Sequence, residues 1–339
     1  DLIRSPAAAP ATLDLASAAP IRSESAMRLP HSPAPKRLFV FGLGYTAAAL
    51  AARLRARGWS VAGTCRSEEK RRALATHGIT AFLFDRGRPL EDARAALAGT
   101  THLLSSVPPD AAGDPVLDHH AADLAALSAG GTGTVRWAGY LSTTGVYGDR
   151  GGDWVDERSG LHPTGPRGRA RVAAEQGWLD LLRVGLPVHL FRLAGIYGPG
   201  RSALDAVLKG TARRIVKPGQ VFSRIHVDDI VSVIEASIAR PNPGAIYNVC
   251  DDDPAPPQDV IAYAAALLGR EPPPEIPFAV AAPGMSELAR SFYADNKRVS
   301  NARIKTELGV RLAYPDYRTG LKAILSAMTT ATKMDLAGN

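Results

Sequence analysis

Residues 37–66 read RLFVFGLGYTAAALAARLRARGWSVAGTCR, and the fold turns on this stretch. An apolar run from Leu38 to Phe41 ends at Gly42-Leu43-Gly44, and Ala47 stands at the third small-residue position of a G-x-G-x-x-G/A turn. Side chains at Gly42 or Gly44 would keep a pyrophosphate off the backbone, and glycine removes them. The helix opening at Tyr45 offers the unpaired N–H groups of its first turn, those of Tyr45 and Thr46 among them, together with the positive end of its dipole. Leu50 and Leu54 share a face with Ala47 and Ala51, Gly58 stands where a C-cap belongs, and Trp59 to Thr64 resumes a strand. The segment predicts strand, glycine turn, helix, strand with a dinucleotide on the turn. A plain βαβ unit with a tight turn is the alternative reading of the same residues.

The pattern continues downstream. Ile79 to Phe84, His102 to Ser105, Arg136 to Ser142 and Val188 to Arg192 read as strands, with helical stretches near 117–129 and 167–184 between them. This alternation predicts an α/β fold, a Rossmann-type doubly wound parallel sheet with a smaller C-terminal α/β substrate lobe. The sheet domain is expected over 37–195. Strand-like Gln220 to Ile230 and Ala245 to Cys250 return 220–250 to it, and 196–219 with 251–329, interrupted by EPPPEIP at 271–277, form the lobe. Residues 1–36, rich in Ala, Pro and Ser, read as a disordered extension, and 330–339 as a tail. Ligands bind at the carboxyl ends of such strands, so Gly42, Arg66, Asp85, Ser106, Thr143 and Ala194 are expected along one edge.

Composition narrows the function classes. The 339 residues are 45% hydrophobic, enough for one large or two smaller domains. No apolar run reaches the ~18–20 residues of a membrane span, so no membrane partner is expected. Cys65 and Cys250 make no disulfide framework and join no ligand cluster, so no metal is expected and the cytoplasm is the expected location. The net charge of +7 is spread along the chain without a basic helix or aromatic platform, which argues against nucleic acid and suits a phosphate-bearing small ligand. A homodimer is left open.

The second strand ends in Thr64-Cys65-Arg66-Ser67, where NAD-selective sheets place a carboxylate for the ribose. Here Arg66 can form charge-assisted bonds to a 2′-phosphate and Ser67 can donate another, which favours NADP(H) over NAD(H).

Five segments occur in order: FGLGYTA (41–47), LSTTGVYG (141–148), FRLAGIYGPGR (191–201), RIHVDDI (224–230) and IYNVCDD (246–252). Together they resemble the extended short-chain dehydrogenase/reductase superfamily, of the NAD-dependent epimerase/dehydratase type, from about Arg37 to Leu325. The resemblance implies NAD(P) on the sheet, a substrate in the C-terminal lobe, and Asp85 accepting from the adenine amino group. It also implies a catalytic Ser or Thr, matched by Thr143, and a Tyr-x-x-x-Lys pair on the next helix. That helix opens PTGPRGRARVAAEQ (163–176), so Arg167 stands at the Tyr position and Arg171 at the Lys position.

The two replacements differ in consequence. Arg171 keeps a positive charge with several donors and could still clamp ribose hydroxyls. Arg167 can stabilise an oxyanion, but a guanidinium has no acceptor lone pair and relays no proton at neutral pH. Acid/base work would then pass to Tyr147, the first choice, or to His226, Asp228 or Glu175. Each also has a structural reading: Tyr147 as part of a segment that the family carries even beside its usual Tyr, His226 as a satisfied structural histidine, Asp228 as a helix cap, Glu175 as a partner of Arg171 one turn away. GMSELARSF (284–292) replaces the Arg-Pro-Gly-Asp-like segment common in relatives that handle nucleotide sugars, which argues against that substrate. The expectation is an NADP(H)-dependent oxidoreductase or epimerase-like enzyme acting on a small molecule, phosphorylated or not. The rival is a catalytically silent NADP(H)-binding sensor or scaffold.

Overall fold

A computed structural model describes residues 35–128 and 133–337, so the extension expected at 1–36 lies outside the described residues except for its last two. Thirteen strands run through the described residues. Seven build one sheet: β1 (Arg37–Phe41), β2 (Ser60–Cys65), β3 (Thr80–Leu83), β4 (His102–Ser105), β5 (Trp137–Thr143), β7 (Val188–Leu193) and β11 (Ile246–Val249). The others form two-stranded parallel pairs: β6 (Trp154–Val155) with β13 (Arg298–Val299), β8 (Gly195–Tyr197) with β10 (Arg224–His226), and β9 (Arg214–Val216) with β12 (Glu275–Pro277).

The large sheet runs β3-β2-β1-β4-β5-β7-β11 with every pairing parallel, so the predicted doubly wound fold is present. Strand order reverses between β1 and β4, which opens a crevice at their carboxyl ends. Alternation along β1 shows why both faces are covered. Leu38 and Val40 enter one core with Leu50 and Leu54 of α1 (Tyr45–Arg55), Leu74 of α2 (Glu68–Thr76) and Ile234 of α7 (Val227–Ala239). Phe39 and Phe41 enter the other with Leu97 of α3 (Ala93–Leu97), Leu124 of α4 (Pro115–Ala126) and Trp178 of α5 (Pro166–Asp180).

A third core joins Leu204 of α6 (Ala203–Leu208), Ala264 of α8 (Pro257–Leu267) and Leu321 of α12 (Tyr317–Ala337), and α9 (Phe278–Ala281), α10 (Glu287–Ala294) and α11 (Ala302–Thr306) complete the chain. Two expectations need correction. Strand structure in 220–230 is confined to Arg224–His226, because apolar Val227, Ile230, Val231 and Ile234 recur at helical spacing and start α7 three residues earlier than Ile230. Helix α12 runs on to Ala337, past the boundary expected at 330, since nothing in LKAILSAMTTATKMDLA (321–337) breaks a helix.

Candidate active site

The turn after β1 is held from two sides. Gly42 has φ +86°, and a Cβ there would meet Val107 Cγ2 at 3.1 Å and Val107 N at 3.3 Å, so only glycine suits it. Gly42 N donates to Thr64 Oγ1 at 2.8 Å and Leu43 N to Thr64 O at 2.8 Å, which pins the turn to β2. Around Gly44 the opposite holds: nothing lies within 4 Å of where a Cβ would stand. No side chain caps α1, whereas Ser67, Asp114, Ser202 and His226 cap α2, α4, α6 and α7. Open space over uncapped N–H groups at the crevice fits the phosphates of a nicotinamide dinucleotide. Thr46 is buried, so only its N–H is offered. Tyr45 is half-buried, and its hydroxyl donates to Pro199 O at 3.0 Å beneath the Arg201 guanidinium, 5.7 Å from the ring centroid.

At the carboxyl ends of β2 and β3, Arg66 and Ser67 are exposed, and Ser67 Oγ accepts from Lys70 N at 3.2 Å. The nearby Glu68 carboxylate is turned toward Arg71, at 2.8 Å, and Arg72. Asp85, expected to await an adenine amino group, already has both oxygens engaged: Oδ1 accepts from Gly87 N at 3.0 Å and Oδ2 from Arg88 Nη2 at 2.9 Å. Arg88 escaped the sequence reading, and its one local signal is the i, i+3 spacing to Asp85. Ser106, partly buried, joins the turn through its backbone, donating from N to Phe41 O at 2.8 Å.

Thr143 ends β5, and its Oγ1 accepts from Gly145 N at 3.1 Å, leaving its O–H to donate. The first turn of α5 packs on this loop, since a Cβ at Gly168 would stand 3.2 Å from Gly145 O. Arg167, next to Gly168, is exposed. Arg171 is tethered to β5 by one nitrogen of its guanidinium. Its Nη1 donates to Leu141 O at 2.7 Å and to the Tyr140 hydroxyl at 3.1 Å. Strand β4 stops at Ser105, opposite Tyr140, and Arg171 serves the β5 carbonyl one residue further on.

Tyr147 lies inside the protein. It is fully buried, its hydroxyl donates to Asn248 Oδ1 at 2.7 Å and accepts from Arg192 Nη1 at 2.9 Å, and burial pushes its pKa up. Both hydrogen bonds of this hydroxyl are therefore made inside the protein. Glu175 pairs with Arg192 at 2.7 Å, not with Arg171, and accepts from Ser142 Oγ at 2.5 Å. His226 is buried and is itself the α7 cap, accepting from Asp228 N at 3.2 Å, while burial pushes its pKa down. Asp228 therefore does not cap, and faces Arg53 at 3.6 Å. Tyr147→Phe is expected to cost about 1–3 kcal/mol of stability, by stranding Asn248 Oδ1 and Arg192 Nη1. Nicotinamide-cofactor affinity should stay within about twofold. Denaturant unfolding and cofactor titration check both, and unchanged stability with lost binding would reverse the assignment.

Residues 38–250 match the NAD dependent epimerase/dehydratase family. The chain belongs to that family. Protein YeeZ of Escherichia coli strain K12 is 29% identical over 287 residues, which cover 83% of this chain and 97% of YeeZ. A conserved, functionally unknown protein from Silicibacter pomeroyi DSS has a solved structure with 53% identity and a TM-score of 0.79, covering 86% of this chain and 99% of that one. MoeE5, solved with UDP-glucose and NAD, shares the fold at a TM-score of 0.68 and 18% identity, over 88% of this chain and 99% of its own.

This member of the epimerase/dehydratase family has an open cavity of about 560 Å3, lined by Arg201, Arg213, Arg224, Tyr197, Tyr293 and Tyr317 among others. Arg224 Nη1 donates to Phe222 O at 2.8 Å and Ala255 O at 3.0 Å, and burial pushes its pKa down against the opposing charge of Asp251. An arginine placed so invites an anion. A second hollow, of about 540 Å3, is lined by Asp252 and Lys305, paired at 2.5 Å, and by Arg311.

Asp251, 1% exposed, has Oδ2 unpartnered among the described residues, and burial pushes its pKa up to about 8. The folded chain then holds a proton that the unfolded chain, with an aspartate near pKa ~3.9, gives up. The stabilisation is full below the unfolded pKa and is lost as pH rises through about 8. Asp251→Asn, an isostere of the protonated acid, is expected to remove that loss. Between about pH 6 and about pH 9 the natural chain should lose about 5 °C more in Tm than the variant. Parallel Tm curves in differential scanning calorimetry would contradict it.

Proposed function

We propose that this chain is an NADP(H)-linked oxidoreductase of the epimerase/dehydratase family, acting on a small anionic molecule held in the Arg224 cavity. One observation carries the cofactor choice: Arg66 stands exposed at the end of β2 while the nearby Glu68 is turned away to Arg71 and Arg72, so the Glu68 carboxylate does not oppose a 2′-phosphate there. MoeE5, a fold neighbour solved with NAD, supports a nicotinamide cofactor at the turn of Gly42 and Gly44. When bound, the nicotinamide supplies hydride transfer. Thr143 donates a hydrogen bond to the reacting oxygen, Arg167 stabilises negative charge that develops there, and Arg224 anchors the anionic end of the substrate. Fluorescence titration tests the cofactor choice: NADPH should bind at least about tenfold more tightly than NADH, and equal affinities would end it.

A silent NADP(H)-binding sensor is the second reading. It is favoured by the locked Tyr147 hydroxyl and by arginine where the family's proton donor stands. The pair Arg167→Tyr and Arg171→Lys separates the two. Turnover of NADPH that appears only in this variant favours the sensor, and turnover in the natural chain that the variant does not exceed favours the enzyme.

A further inference from the structure

We infer that Arg88 is a second guanidinium for the cofactor's 2′-phosphate, and that Asp85 is the residue that positions it. This rests on the NADP(H) reading above. Cys65 of β2 lies opposite Leu83 of β3, so the segments that follow them, Arg66 and Asp85 to Arg88, leave the sheet side by side at its carboxyl edge. The second segment folds back on itself at once. Asp85 N donates to Arg88 O and Arg88 N to Asp85 O, each at 3.0 Å, while Gly87 N donates to Asp85 Oδ1 at 3.0 Å.

This narrow turn delivers the Arg88 side chain to the end of β2. Its Nη2 donates to Arg66 O at 2.8 Å and to Asp85 Oδ2 at 2.9 Å. Both bonds use the same nitrogen. Nη1 and Nε make no bond among the described residues, and the side chain is 45% exposed. An arginine tethered at one corner presents the rest of its fork in a set orientation, the arrangement that suits phosphate oxygens. The Arg66 carbonyl is where the tether ends, so the Arg66 backbone and the Arg88 guanidinium share one spot beside the ribose position of a sheet of this kind. Asp85 would otherwise be a carboxylate facing a phosphate. Paired with Arg88 it becomes a strut whose charge is already neutralised.

Titrating NADPH and NADH into the natural chain, Arg66→Ala, Arg88→Met and Asp85→Asn tests the idea. Arg88→Met should weaken NADPH about tenfold and leave NADH within about twofold. Asp85→Asn decides the role of Asp85, because its Oδ1 can still accept from Gly87 N. By charge alone, removing a carboxylate should tighten NADPH; an adenine contact would weaken both cofactors equally; a positioning role weakens NADPH selectively, by about threefold to tenfold. If Arg66→Ala abolishes the NADPH preference and Arg88→Met leaves it intact, the Arg88 assignment falls while the NADP(H) reading stands. If the natural chain shows no preference, both fall. The exposed position of Arg88 leaves the fold intact in these variants, and matching unfolding curves check it.

Discussion

Arg66→Asp is expected to weaken NADPH binding about 100-fold and leave NADH within about threefold, reversing the cofactor preference. The Arg66 guanidinium makes no bond among the described residues, and only its carbonyl is used, by Arg88. Its loss therefore costs the fold little, within about 0.5 kcal/mol for a surface side chain. A charge-assisted bond to phosphate contributes about 1.5–3 kcal/mol, and an aspartate in its place adds repulsion against a group with up to two negative charges. The cap of α2 is Ser67, so the helix keeps its start. Salt offers a second readout. Because the site is exposed, the difference between natural chain and variant should shrink as ionic strength rises through about 0.1 M to about 1 M. Isothermal titration at two salt concentrations measures both effects, and a variant that binds NADPH within threefold of the natural chain would refute the 2′-phosphate site.

Arg192→Met is expected to cost about 3–5 kcal/mol of stability, the loss typical of breaking a buried ion pair by removing one partner. Arg192 and Glu175 are each 3% exposed. They meet through two arms, Nε to Oε1 at 3.0 Å and Nη2 to Oε2 at 2.7 Å, and Arg192 Nη1 also serves the Tyr147 hydroxyl. Methionine fills a similar volume but leaves the Glu175 carboxylate with Ser142 Oγ as its only bonded partner among the described residues. Adding Glu175→Gln removes the stranded charge and should recover about half of the loss. Guanidinium unfolding of the two single variants and the double variant gives the coupling directly. A single-variant cost below about 1 kcal/mol would mean that the pair is hydrated despite its burial.

The glycine turn was legible because its physics is local. A left-handed φ at Gly42, an apolar period on α1 and an uncapped first turn are each written within a few residues. Family membership was legible for a related reason, since five short segments keep their order along the chain. The catalytic reading fared differently. Tyr147 sits in a segment that gives no sign of burial, and the groups that lock its hydroxyl, Arg192 and Asn248, are 45 and 101 residues away. Arg171 was read from its charge and its place one turn beyond Arg167. Where that charge points depends on Leu141 O, 30 residues back, which becomes an acceptor only once α5 lies against β5.

By itself, then, the sequence determined the glycine turn after β1, the arginine at the end of β2 and the arginines in the first turns of α5, because backbone conformation and residue identity are local properties. Only the tertiary structure decided which polar groups are spent inside the protein and which stay exposed. The Tyr147 hydroxyl and the Glu175 carboxylate are spent inside; the guanidinium groups of Arg66 and Arg167 are not. The physical reason is that a buried polar group must find a partner wherever packing brings one, and packing joins residues that the chain keeps far apart.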